Sequence, residues 1–142
     1  IAKLLYIFER FWQEILRFSR RTESQINHWA ARYGYKDRGE EILKEAKHGA
    51  NGRYACINLT NTDTIEFRVF RGTLKYNTVI ATLQFVANLC RVAISLPEYR
   101  IQEFSWPALI EALTQDNCPE LVQYLKERNL YVNEPVTAER EV

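Results

Sequence analysis

The residues of this chain best suited to chemistry are Glu66 and Arg68, in the stretch TIEFRVFRG at positions 64–72. If this stretch is a strand, side chains at i and i+2 share a face about 7 Å apart. Ile65, Phe67 and Val69 then face a core, and Glu66, Arg68 and Phe70 share the opposite face. A carboxylate can hold Mg²⁺ while a nearby guanidinium grips phosphate oxygens in a bidentate fork. These types together suit phosphoryl chemistry, in which a catalyst mostly positions and neutralises charge. Arg71-Gly72 adds a cation where the chain can turn sharply, and Gly52-Arg53 can bring a third arginine to the same end of a hairpin. The alternative is a solvated surface pair worth about 0–1 kcal/mol. The pattern alone leaves both open.

Other residues carry weaker signals. Ser19-Arg20-Arg21-Thr22 joins two helical patterns. Arginines ahead of a helix N-terminus suit an anion, or form a plain basic junction. His28, beside Trp29 on a helix, reads first as a surface histidine, and His48 stands in a glycine-flanked loop from which it could touch a nucleotide. Cys56, Cys90 and Cys118 are widely spaced and lack any CxxC or Cys/His pairing. Reduced, buried thiols without structural zinc are expected, as in an intracellular protein. The sequence has no P-loop, GxGxxG, HExxH or GxSxG pattern.

The elements that must position these residues are legible as periodicities. Leu4, Leu5, Phe8, Phe11, Trp12, Ile15 and Leu16 predict an amphipathic helix over about 2–18. Thr22 followed by Gln25 is a capping box that starts a second helix, ending near Gly34. A charged helix over 39–47 precedes the loop His48–Gly52. Runs 54–59 and 64–70, rich in aromatic and β-branched residues and separated by Thr60-Asn61-Thr62-Asp63, predict a β-hairpin. A lone hairpin is marginal in water, so it should lie on helices or join a larger sheet. A long apolar helix starts at Asn77 or Thr78 and is stopped by Pro97. Ser105 with Pro107, and Asn117 with Pro119, open two more helices, the last ending near Asn129. The fold class is α+β and mostly helical: one domain over 1–132, then a flexible acidic tail over 133–142.

Composition bounds the function. With 142 residues, 46% hydrophobic and 13% aromatic, the chain suits one globular domain. A net charge of +1 argues against a nucleic-acid binder that depends on overall positive charge. The charge is uneven: residues 1–100 hold 16 Lys/Arg against 10 Asp/Glu, and 101–142 hold 3 against 8. Charged residues interrupt every early apolar run, so no signal peptide is expected. The uncharged run from Tyr76 includes Thr78, Thr82, Gln84 and Asn88, which suggests a buried helix in place of a membrane span. The chain begins at Ile1 inside an apolar pattern, which suggests a piece of a longer protein.

Three stretches, FSRRTESQINHWAARYGYKD, GRYACINLTNTDTIEFRVFRGTLKYNTVIATLQFV and PELVQYLKERNLYVNEPV, together resemble the C-terminal part of the amidoligase family. That family belongs to the carboxylate–amine ligase group, related to glutamine synthetase and glutamate–cysteine ligase. The resemblance covers nearly the whole chain. It implies part of a glutamine synthetase-like catalytic fold lacking its N-terminal strands, with ATP and Mg²⁺ as cofactors. In such enzymes ATP phosphorylates a carboxylate and an amine attacks the acyl phosphate. By this similarity Glu66 is a metal ligand, Arg68 a phosphate-binding and catalytic residue, Arg53 a nucleotide or phosphate contact, and Arg71, in the family's FRG element, a second catalytic residue. Asn58 stands where the synthetases tend to have arginine, so the carry-over fails there. The family's N-terminal part, with further metal-binding carboxylates, is absent and would be the natural partner. The fragment alone is therefore expected to be inactive. The substrates would be an amino-acid or peptide carboxylate and an amine, and the setting a bacterial cytoplasm, often of phages or mobile elements.

A second reading is an assembly module in which the hairpin edge and aromatic helices dock another chain, with Phe8, Phe11, Trp12 and Trp29 as contact surface. A lesser one is nucleic-acid binding through Arg17, Arg20, Arg21 and Arg32. No membrane contact is expected.

Overall fold

The computed structural model describes residues 1–48 and 52–131. The chain is mostly helical with one small antiparallel sheet, an α+β arrangement. In order, the elements are α1 (Ala2–Arg10), α2 (Trp12–Ser19), α3 (Glu23–Trp29), α4 (Gly39–Lys47), a 3₁₀ turn (Gly52–Tyr54), β1 (Ile57–Asn58), β2 (Glu66–Phe67), α5 (Tyr76–Ser95), α6 (Glu98–Gln102), α7 (Trp106–Leu113) and α8 (Pro119–Glu127). One hydrophobic cluster runs through them from Leu4 to Leu130.

The helix expected over 2–18 is broken once, at Phe11, whose φ of −108° and ψ of 37° leave the helical region. The hydrogen bonds from Phe11 N to Ile7 O and from Ile15 N to Phe11 O keep α1 and α2 in near succession. The capping box at Thr22 and Gln25 forms as the spacing predicts. Helix α3 ends earlier than Gly34, because Ala31 turns extended and pairs in parallel with Ala55. Helix α4 holds its expected bounds, and Gly39 is required at its start. A Cβ there would overlap the Ala2 carbonyl, so only glycine lets α1 approach so closely.

The hairpin is shorter than its sequence pattern. Only Ile57↔Phe67 and Asn58↔Glu66 pair, so the expected strands 54–59 and 64–70 shrink to two residues each. The cause lies on both sides. Asn58 Oδ1 accepts from Thr60 N at 3.0 Å and Thr60 Oγ1 at 2.8 Å, turning the chain away at once. Beyond Phe67, the Arg21 guanidinium takes the backbone carbonyls of Arg68, Val69 and Phe70, and Arg71 N donates to Ser19 O at 2.9 Å. Residues 68–71 are thus stitched to the α2–α3 junction. The alternation fails with them. Phe70, expected beside Glu66 and Arg68, packs on Phe18 and Phe85 at ring distances of 5.7 and 6.1 Å.

Helix α5 packs chiefly on α8 and also on α7 and α1. The expectation of a buried helix holds for one face only, carrying Thr78, Ala81, Phe85, Leu89 and Val92. Tyr76, Val79, Leu83 and Ile94 are exposed on the other. Its length and apolar composition are also those of a helix able to cross a membrane. The short α6 carries no periodic signal in the sequence. Ser105 caps α7 as expected, its Oγ accepting from Ala108 N at 3.3 Å. For α8 the cap is Cys118 in place of Asn117, with Pro119 at the first helical position. Asn129, with φ of 56°, closes α8 by a left-handed turn in which Leu130 N reaches Leu125 O at 2.8 Å. The expected tail at 133–142 and the loop residues 49–51 lie outside the described residues.

Candidate functional site

Two arginine-bearing surfaces emerge from these elements. The first is the outer face of the hairpin. Arg68 Nη1 meets Glu66 Oε1 at 2.6 Å, with the two side chains 28% and 43% exposed, respectively. Arg68 Nε donates to Trp29 O at 3.3 Å. Tyr54 lies between the two arginines, its ring centroid 5.4 Å from the Arg68 guanidinium carbon and 5.0 Å from that of Arg53. Arg53 Nη2 also donates to the Tyr54 hydroxyl at 2.9 Å. Sequence spacing thus brings Arg53, Glu66 and Arg68 together around one aromatic ring. They meet on an open face, where the carboxylate already neutralises one guanidinium.

That pairing bears on Mg²⁺. The ion demands near-octahedral oxygen coordination, commonly one or two carboxylates plus phosphates and water. Glu66 offers one carboxylate with an oxygen held by Arg68, and no group of three or more His, Cys, Asp or Glu among the described residues could hold a metal. These residues do not by themselves make a magnesium site.

The second surface is a cleft of about 760 Å³ between α2, the junction after it, the turn at Arg71 and the end of α8. Arg17, Arg20, Arg21, Arg71 and Arg128 line it, and among the described residues Glu14 is the one acid in its wall. Arg71 therefore parts company with Glu66, Arg68 and Arg53, which do not line this cleft. The junction is held from below by Phe18, whose ring stacks on Phe85 at 4.3 Å and meets Tyr124 edge-on at 4.7 Å. Tyr124 Oη also donates to Phe18 O at 2.5 Å. Arg20 is left-handed, with φ of 63°, a conformation that costs a non-glycine residue about 1–3 kcal/mol. Its Nη2 donates to the Arg71 carbonyl, while its Nε is buried without a partner. Burial, then the charges of Arg68 and Arg71, push the Arg21 pKa below the usual arginine value.

Other candidates resolve into structure. Arg32 does not join a basic surface. It grips the buried Glu9 through Nε at 2.8 Å and Nη2 at 2.6 Å and stacks on Trp12. Glu9 also accepts from Tyr33 N at 2.9 Å. Its signal was present in the sequence: it is the lone acid within the apolar stripe of Leu5, Phe8 and Trp12. Phe8, Phe11 and Trp12, expected as contact surface, are buried, whereas Trp29 is exposed. His28 and His48 are exposed, His28 against the Trp29 ring at 4.2 Å. Cys56 and Cys118 are buried and Cys90 partly so, all with thiol pKa values raised by burial. Nothing in the sequence pointed to Arg128, whose Nε and Nη2 reach back to Arg17 O at 3.2 and 2.9 Å.

Comparison of the chain with protein-family models, with curated proteins and with solved structures finds no match.

Proposed function

We propose that this chain is the C-terminal part of an ATP-dependent carboxylate–amine ligase of the amidoligase type. The observation that carries this reading is the grouping of Arg53, Glu66 and Arg68 around Tyr54. Two guanidinium groups there can meet phosphate oxygens, beside a carboxylate able to exchange Arg68 for a cation. In the reaction, a substrate carboxylate oxygen attacks the γ-phosphorus of ATP and ADP leaves. The amine nitrogen then attacks the acyl carbon, inorganic phosphate departs, and the amine loses a proton as the amide forms. The role of this chain is to hold the transferring phosphoryl group through Arg53 and Arg68, with the remaining cation ligands supplied by the rest of the ligase in a glutamine synthetase-like fold. The test is ADP release by the complete polypeptide with ATP, Mg²⁺ and a panel of amino acids. Glu66→Gln and Arg68→Ala should each lower it about a hundredfold. Unchanged release in both variants overturns the reading.

A second reading, an assembly module without catalysis, is favoured by α5. Tyr76, Val79, Leu83 and Ile94 form an exposed, uncharged apolar row along it, which suits an isologous contact with a second copy. Light scattering decides: a dimer converted to monomer by Leu83→Glu supports it, and a monomeric parent chain removes it.

A further inference from the structure

We infer that the arginine-lined cleft beside the α2–α3 junction is a binding site for a phosphorylated small molecule, separate from the hairpin face and independent of the ligase reading. Three segments distant in sequence bring five arginines to one concavity of about 760 Å³, with Glu14 as the sole acidic residue in its wall among the described residues. Among the described residues, none of the five forms an ion pair. Elsewhere three arginines do form ion pairs: Arg32 with Glu9, Arg68 with Glu66 and Arg91 with Asp116. Like charges crowded in a partly desolvated cleft are unfavourable unless an anion enters.

The junction is also built to hold that crowding. Arg21 is fixed by three backbone carbonyls and Arg128 by the Arg17 carbonyl. Arg20 takes a left-handed backbone at the mouth of the cleft and keeps a buried Nε without an acceptor. The left-handed residue is the C-cap of α2, and the turn it makes places Arg20 and Arg21 together in the cleft wall. The chemistry of that ligand follows from the count. Among the described residues, five cations against one acid call for two or more negative charges, and guanidinium forks match phosphate oxygens. The volume suits a small molecule in place of a polymer, and Leu16, Trp106 and Leu130 offer its organic part an apolar wall.

Titration calorimetry of the chain with inorganic phosphate, pyrophosphate and ATP tests this, with Trp106 fluorescence as a second readout. Binding of pyrophosphate or ATP in the micromolar range is expected, weakened about tenfold by Arg71→Gln and by Arg17→Gln. Both residues are exposed, so both variants should keep the fold, which circular dichroism checks. Arg100→Gln, exposed on α6 and outside the cleft lining, should leave the affinity unchanged. Preference for ATP over pyrophosphate identifies a nucleotide, and equal affinity identifies the diphosphate group alone as the recognised element. Three results overturn the inference: no binding of any of the three anions at millimolar concentration, equal loss in Arg100→Gln, or tighter, steeply salt-dependent binding of a single-stranded oligonucleotide.

Discussion

The hairpin face and the arginine cleft use the same side chain to opposite ends. On the hairpin, Arg68 stands two residues from Glu66 and the pair closes on itself at 2.6 Å, in water. In the cleft, five arginines share one space and none forms an ion pair with a carboxylate among the described residues. Local spacing on a strand gives neutral pairs cheaply, because opposite charges at i and i+2 need no help from the rest of the fold. An uncompensated cluster needs help, since tertiary structure must hold like charges together against repulsion. The contrast teaches that uncompensated charge held at a conformational cost is the more informative signal, even though the strand motif is easier to see.

Arg21 is the residue that ties the two regions, and its loss should be the largest effect. Its guanidinium donates to Val69 O at 2.9 Å, Arg68 O at 3.2 Å and Phe70 O at 3.4 Å. Arg21→Ala removes all three charge-assisted hydrogen bonds, made by Nε and Nη2, and leaves partly buried carbonyls unmet. A destabilisation of about 2–4 kcal/mol is expected, measured by urea denaturation. If Arg21 were an ordinary surface arginine, the change would stay within about 0.5 kcal/mol.

Behind the hairpin, a second effect separates the regions by pH. Cys56 and Tyr33 are both pushed up to about 12, chiefly by burial, with the nearby Glu9 adding to both and Cys56 adding to Tyr33. The sign follows from protonation. In the unfolded chain these groups ionise near their ordinary values of 9.0 and 10.0, while the folded chain keeps both protons. Stability is therefore unaffected below about pH 9 and falls as pH rises from 9 towards 12, by about 1.4 kcal/mol per pH unit for each proton retained. Cys56→Ala should flatten the slope of stability against pH between 9 and 11, and Arg71→Gln should not.

How much of this was legible in the sequence depends on how local each cause is. The capping box at Thr22, the Ser105 cap and the stop at Pro97 are each made by residues within a few positions, and they form as the spacing predicts. Strand length was misjudged because Arg21, more than forty residues away, takes the carbonyls that further pairing would use. The grouping of Arg53, Glu66 and Arg68 could be read from strand periodicity. The openness of that face could not, since exposure depends on what the helices leave uncovered. The cleft was half visible: Arg20 and Arg21 announce a basic junction, but Arg71 and Arg128 arrive only through the packing of α2 under α8. Arg128 reaches Arg17 across a separation of 111 residues, which no local pattern encodes.

The smallest expected effect lies in the pair that first draws the eye. Glu66 and Arg68 are each partly exposed, so water screens their attraction and their side chains lose entropy in meeting. Glu66→Gln and Arg68→Ala should each change stability by no more than about 1 kcal/mol, and a double-mutant cycle should give a coupling of about 0.2–1 kcal/mol that shrinks in 1 M salt. A coupling well above that range would mean the pair is desolvated, and the hairpin face would then resemble the cleft in holding charge against cost. A coupling within it leaves Glu66 free to exchange Arg68 for another cation at little expense to the fold. That exchange is the property the ligase reading needs, because a carboxylate locked in a strong ion pair could not also serve an incoming charge.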